Sequence, residues 1–135
     1  MAADRTLEQQ PVPAAARLAR ALRRLTTIST FLQSGAHPDD ETSALLARLA
    51  LGEGMRVGYA CATRGEAGQN AIGTESGGAL GVLRTLEMEA AAGALGVEVH
   101  WLSRGDDDTL RDFGFARSAE RTFALWGRGR RGSSA

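Results

Sequence analysis

Cysteine occurs once in these 135 residues, at Cys61, and histidine only twice. A single thiol excludes a disulfide within the chain and a Cys-rich structural zinc site, and it fits a reducing compartment. Net charge is absent too. Sixteen Lys+Arg cancel sixteen Asp+Glu, so no global field draws in nucleic acid or an anionic membrane. No apolar run approaches the roughly 18 residues of a membrane helix, and the N-terminus lacks the apolar core of a signal peptide. These absences predict a cytoplasmic protein with no transmembrane segment and no nucleic-acid partner.

What remains is ordinary globular material, 43% apolar and 24% charged, in a chain long enough for one domain with a real core. Basic residues gather at Arg17, Arg20, Arg23 and Arg24 and again at Arg128, Arg130 and Arg131. Solvated surface is the economical reading of both groups.

Residues 1–13 read as a flexible leader. From Ala14 to about Leu25, Leu18, Leu22 and Leu25 recur at helical spacing between arginines, which predicts an amphipathic helix. Thr27–Ser34 is rich in β-branched residues and predicts a strand ending at Gly35. Thr42–Leu51 predicts a helix with Leu45, Leu46, Leu49 and Ala50 on its apolar side, stopped by Gly52. Met55–Thr63 predicts a second strand. The Gly-rich stretch after it is a long loop, of the kind that is functional or disordered in a compact domain. Ala79 to about Leu95 predicts a helix burying Leu83, Leu86, Ala90 and Ala94, with Gly96 as its stop. Val97–Leu102 predicts a third strand, and Ser118 caps a last helix running to about Trp126. Residues 128–135 read as a disordered basic tail.

Strands alternating with helices imply an α/β fold: a mainly parallel sheet in a three-layer α/β/α, Rossmann-like arrangement, spanning residues 14–127 as one domain. In such sheets ligands bind beyond the carboxyl ends of the strands. That rim collects residues 36–41, 64–70 and 103–112.

The sharpest feature on the rim is His37-Pro38-Asp39-Asp40-Glu41. Imidazole nitrogen and carboxylate oxygen suit a divalent ion such as Zn²⁺, and Pro38 keeps His37 out of helical geometry. His37 and Asp40 then serve as ligands, with Asp39 left to take a proton from activated water. A plainer alternative stands beside this one. Proline and acids at the first turn stabilise a helix start by about 0.3 to 1 kcal/mol per acid, with no metal involved. Helix capping gives His37 no role.

"AHPDDE", then "TRGEAGQN", then "LGVLRTLEMEAAAGALGVEVHWL" resembles the PIG-L (LmbE-like) family of zinc-dependent de-N-acetylases, over roughly Thr30 to Trp126. The resemblance implies removal of an acetyl group from a small-molecule N-acetylglucosamine-type conjugate. It implies Zn²⁺ or another divalent metal on His37 and Asp40, with Asp39 as the catalytic base. Arg84 and Asp112 would hold substrate polar groups, and Arg64 and Glu66 lie in the loop that would shape the sugar pocket. The residues themselves leave alternatives open: an i, i+3 surface pair with Glu87 for Arg84, and a plain loop acid for Asp112. Asp106, Asp107 and Asp108 read as a solvated turn.

The family pattern also requires a third ligand, a later histidine in a His-x-Asp-His-like segment, which this sequence lacks. His100 sits mid-strand opposite Val99 and Trp101 and reads as a strand residue. The sequence therefore reads as a truncated form, whose cut sheet would expose apolar surface and an edge strand that favours self-association. The competing function is a non-catalytic sugar-binding module or pseudoenzyme fragment of the same fold. A nucleotide-phosphate cradle in the Gly-rich loop is disfavoured, since its glycines fit neither G-x-G-x-x-G nor the P-loop pattern and no lysine follows them.

Overall fold

The computed structural model describes residues 12–104, 110–112, 114 and 118–130. The leader up to residue 11, the acidic turn at 106–108 and residues 131–135 of the basic tail lie outside the described residues. Chain order gives α1 (Ala14–Arg24), β1 (Thr30–Gly35), α2 (Ser43–Ala47), β2 (Arg56–Cys61), α3 (Gly78–Leu95), β3 (Glu98–Trp101) and α4 (Ala119–Arg130). The strands form one sheet in the order β1-β2-β3, both pairings parallel. This is the expected α/β class with a parallel sheet.

Alternation fixes the faces. Phe31, Val57, Tyr59, Cys61, Val99 and Trp101 point to one side, where they meet Leu46, Ala50, Met88 and Ala92 of the overlying helices. The central strand β2 is buried along most of its length, as parallel strands are. On the other face Leu32 is 60% exposed, and a Cβ on Gly58 would lie 3.0 Å from Leu32 and 3.2 Å from the His100 ring. Within the described sheet β1 and β3 each pair on one side only.

Two local departures have clear causes. β1 starts at Thr30 rather than Thr27, because the Thr27 hydroxyl accepts the Ser29 N–H at 3.1 Å and holds the chain in a turn. The helix begun by α2 continues through Arg48–Gly52 as a π-helical turn, closed by Glu53 N donating to Arg48 O.

The phase of α3 differs from the expected one. Its buried residues are Leu80, Gly81, Met88 and Ala92, while Leu86 is 60% exposed and Ala90 and Ala94 are exposed. Apolar residues surround this helix on nearly every side, so periodicity does not choose the face. Close approach does: a Cβ on Gly81 would meet Glu66 Cγ at 2.8 Å, so only glycine lets α3 lie against the loop after β2. Gly96 ends α3 in the left-handed conformation at φ 71°, the expected glycine stop. Ser118 caps α4 as expected, its hydroxyl accepting Arg121 N–H at 3.3 Å, and α4 runs past Trp126 to Arg130. No helix among the described residues is long and apolar enough to cross a membrane.

Candidate functional site

The chain leaves β1 at Gly35 and makes a tight turn before α2. Asp40 organises that turn: its Oδ2 accepts the backbone N–H of Ala36 at 2.9 Å and of His37 at 2.8 Å. Three more side chains pin the same backbone from below. Tyr59, fully buried in β2, donates its hydroxyl to His37 O at 2.6 Å. Thr63 donates its hydroxyl and its N–H to Ala36 O at 2.8 and 3.0 Å. Gln33 donates to Asp40 O and accepts from Thr42 N. Burial pushes the Tyr59 phenol well above its usual pKa, so it stays a neutral donor. Gly35 has no alternative here, because a Cβ would collide with the Tyr59 hydroxyl and lie 2.9 Å from Asp40 Cβ.

On this turn His37, Asp39 and Asp40 each offer one ligand atom, all within 4.8 Å of one another. Both imidazole nitrogens face a carboxylate: Nδ1 lies 3.3 Å from Asp40 Oδ2 and Nε2 lies 3.5 Å from Asp112 Oδ1. Asp112 is the more enclosed acid, with its side chain 8% exposed against 44% for Asp40. Its own N–H donates to Glu66 Oε2 at 3.2 Å. Glu66 and Asp112 also border a concavity with Ala67, Gly77, Gly78 and Arg111.

Arg84 enters from α3, and its guanidinium donates to Asp39 Oδ2 at 3.1 Å and to Gly65 O at 3.4 Å. The loop glycines permit this, since a Cβ at Gly65 or Gly68 would strike the Arg84 head. Arg64 turns inward. It lies 4.1 Å over the Trp101 ring, donates to Thr85 Oγ1 at 3.0 Å and to Ser103 O at 3.3 Å, and ties the loop after β2 to α3 and β3. The expected site residues His37, Asp39, Asp40, Arg84, Asp112 and Glu66 thus form one connected group, with Arg64 behind it. His100 lies on the other face of the sheet, 3.9 Å from Glu98.

Sequence reasoning passed over Gln33, Tyr59 and Thr63, which carry the turn without joining the cluster. A signal existed for two of them. Gln33 and Tyr59 sit at core-facing positions of their strands, where a polar atom needs a dedicated partner. Cys61, beside them, is fully buried with its thiol pushed up to about 11 by burial, a small core residue with no part in the cluster.

Together the fold and the turn define an α/β protein whose imidazole and carboxylates converge at the carboxyl end of a parallel sheet. The family model for PIG-L, described as GlcNAc-PI de-N-acetylase, matches residues 32–125, most of the chain. The chain belongs to the PIG-L family. It is similar in structure to N,N'-diacetylchitobiose deacetylase from Pyrococcus horikoshii, solved with its inhibitor MPG, at 25% identity and a TM-score of 0.49. That similarity covers 73% of this chain and 41% of the other, so the chain spans less than half the length of that relative. A search of curated proteins gives no match.

Proposed function

We propose that the chain carries the metal-binding half-site and catalytic base of a de-N-acetylase acting on a small N-acetylglucosamine-type conjugate. The observation that carries this reading is the convergence of His37, Asp39 and Asp40 within 4.8 Å on the turn after β1, in a chain of this family.

The donor set fits a divalent ion. His37 and Asp40 would hold it, and one imidazole nitrogen can ligate while the other donates to the carboxylate it faces, an arrangement that fixes the tautomer. Zn²⁺ bound there supplies Lewis acidity, polarising the acetamide carbonyl and making water acidic enough to react near neutral pH. The protein's own part is proton handling and positioning. Asp39 accepts the proton of the attacking water and returns it to the departing amine, so that acetate and a free amino sugar leave. Arg84 keeps the Asp39 carboxylate oriented while holding the Gly65 backbone beside it. Asp112 and Glu66, bordering the adjacent concavity, are placed to accept sugar hydroxyls, and Arg64 braces the loop that carries Glu66. The buried reduced thiol supports a cytoplasmic setting.

The test is acetate release from N-acetylglucosamine conjugates by purified protein with added Zn²⁺, compared with chelator-treated protein and Asp39→Asn. Metal-dependent turnover that Asp39→Asn abolishes is the expected result. Turnover that ignores both chelator and substitution would reject the reading. One observation favours a second reading, a sugar-binding module without chemistry: among the described residues the donor group contains a single histidine. Calorimetric sugar binding indifferent to chelator, with no zinc uptake, would select it.

A further inference from the structure

The first helix presents an apolar side that no other described residue covers. Between Val12 and Pro38 there is no acidic residue, while Arg17, Arg20, Arg23 and Arg24 fall within α1. At 100° per residue Leu18, Leu22 and Leu25 share one side and the four arginines occupy the opposite one. No residue of α1 is buried. Leu18 is 61% exposed, Leu22 54% and Leu25 82%, and Ile28 just beyond is fully exposed. The helix meets the body through its arginine side: Arg23 donates to Leu51 O at 3.3 Å, and its backbone lies against Gly54, where a Cβ would come within 2.7 Å. The leucine side is therefore left to solvent, and among the described residues none of the four arginines makes an ion pair.

We propose that α1 docks on an anionic lipid surface, its leucines entering the headgroup boundary and Arg17 and Arg20 reaching the lipid phosphates, while Arg23 and Arg24 hold the helix to the body. Leucines backed by arginines that form no ion pair, on an exposed helix, are the pattern of helices that lie in a bilayer interface, and long arginine side chains reach headgroup phosphates while their stems cover apolar surface. Nucleic acid would engage the arginines and leave the leucines in water. A second copy docking through the same leucines would leave the arginines on the far side of the helix with no anionic partner. Charge complementarity thus selects the bilayer. Docking is peripheral, since a helix of 11 residues is about 16 Å long and does not span.

Vesicle flotation of the full chain tests this directly. Neutral phosphatidylcholine vesicles are compared with vesicles holding about 30 mol% phosphatidylglycerol. Binding to the anionic vesicles at least about tenfold tighter, and lost near 0.5 M salt, is expected. Arg17→Gln and Arg20→Gln should each weaken it about fivefold. Leu18→Ser with Leu22→Ser should abolish retention, while circular dichroism and the denaturation midpoint stay unchanged because both side chains are exposed. No preference for anionic vesicles, or full binding by the leucine variant, would overturn the proposal. So would a dimer in sedimentation that the leucine variant converts to monomer while vesicles capture neither form. That last outcome would assign the face to a second copy.

Discussion

Gly35 and Tyr59 provide the strictest test of how the turn is held. In Gly35→Ala the new methyl would overlap the Tyr59 hydroxyl and sit 2.9 Å from Asp40 Cβ, with Tyr59 Cζ at 3.0 Å. Tyr59 is fully buried and the strand is central, so neither neighbour retreats freely, and overpacking of this kind costs about 2 kcal/mol. Tyr59→Phe alone deletes the 2.6 Å bond to His37 O and leaves that carbonyl with one partner fewer, which costs about 1 to 2 kcal/mol. The two effects share an atom. Once the hydroxyl is gone, part of the space the methyl needs is open, so the double variant should be more stable than the sum of the single losses by about 1 kcal/mol. Urea denaturation followed by tryptophan fluorescence measures all four corners of the cycle. Strictly additive losses, or a Gly35→Ala protein as stable as the parent, would refute the packing argument.

The remaining predictions concern charge and burial. Asp40→Ala should remove the acceptor for two backbone N–H groups and lower stability by about 1 to 2 kcal/mol, discounted because the side chain is 44% exposed. The same variant should lose zinc uptake in a competition titration, and uptake equal to the parent would remove Asp40 from the donor set. Arg84→Ala should change stability by less than about 1 kcal/mol, since Asp39 is 67% exposed, yet reduce turnover about tenfold or more by freeing the Asp39 carboxylate. Equal losses in stability and turnover would make Arg84 merely structural. Cys61 ionises in the unfolded chain near pH 9 but in the folded one near 11, because burial disfavours the thiolate. Its contribution to stability is therefore fully present below about pH 9 and is lost as pH climbs through about 11. Unfolding curves across that window, compared with Cys61→Ala, check the sign; a steeper fall in the variant would contradict it.

Much of this architecture can be read along the chain because short-range rules decide it. Gly96 stops α3 by adopting φ 71°, Ser118 caps α4, and the alternation in β2 sends Val57, Tyr59 and Cys61 to one side. The His37–Asp40 pairing is equally local, three residues apart across one turn. What periodicity cannot supply is choice among equivalent faces and partners. The face of α3 is set by the contact of Gly81 with Glu66, and no stretch of α3 alone announces that contact. Arg84 has an acidic neighbour in Glu87 along its own helix, but its partner is Asp39, 45 residues away. Asp112 reaches His37 only because β1 and the segment after β3 end on the same rim. The π-helical turn at Arg48–Gly52 leaves no mark in residue type either.

Because all three strands run the same way, every strand starts at one edge of the sheet and finishes at the other. Arg23 and Arg24 rest beside Gly54 and Gly96, where β2 and β3 begin, whereas His37 and Asp40 stand where β1 finishes. Six residues of strand separate those levels by about 20 Å, more than twice the roughly 8 Å over which charges sense one another in physiological salt. Reversing the charge of those two arginines should therefore leave the affinity of the cluster for a cation untouched, and either end can be redesigned without retuning the other.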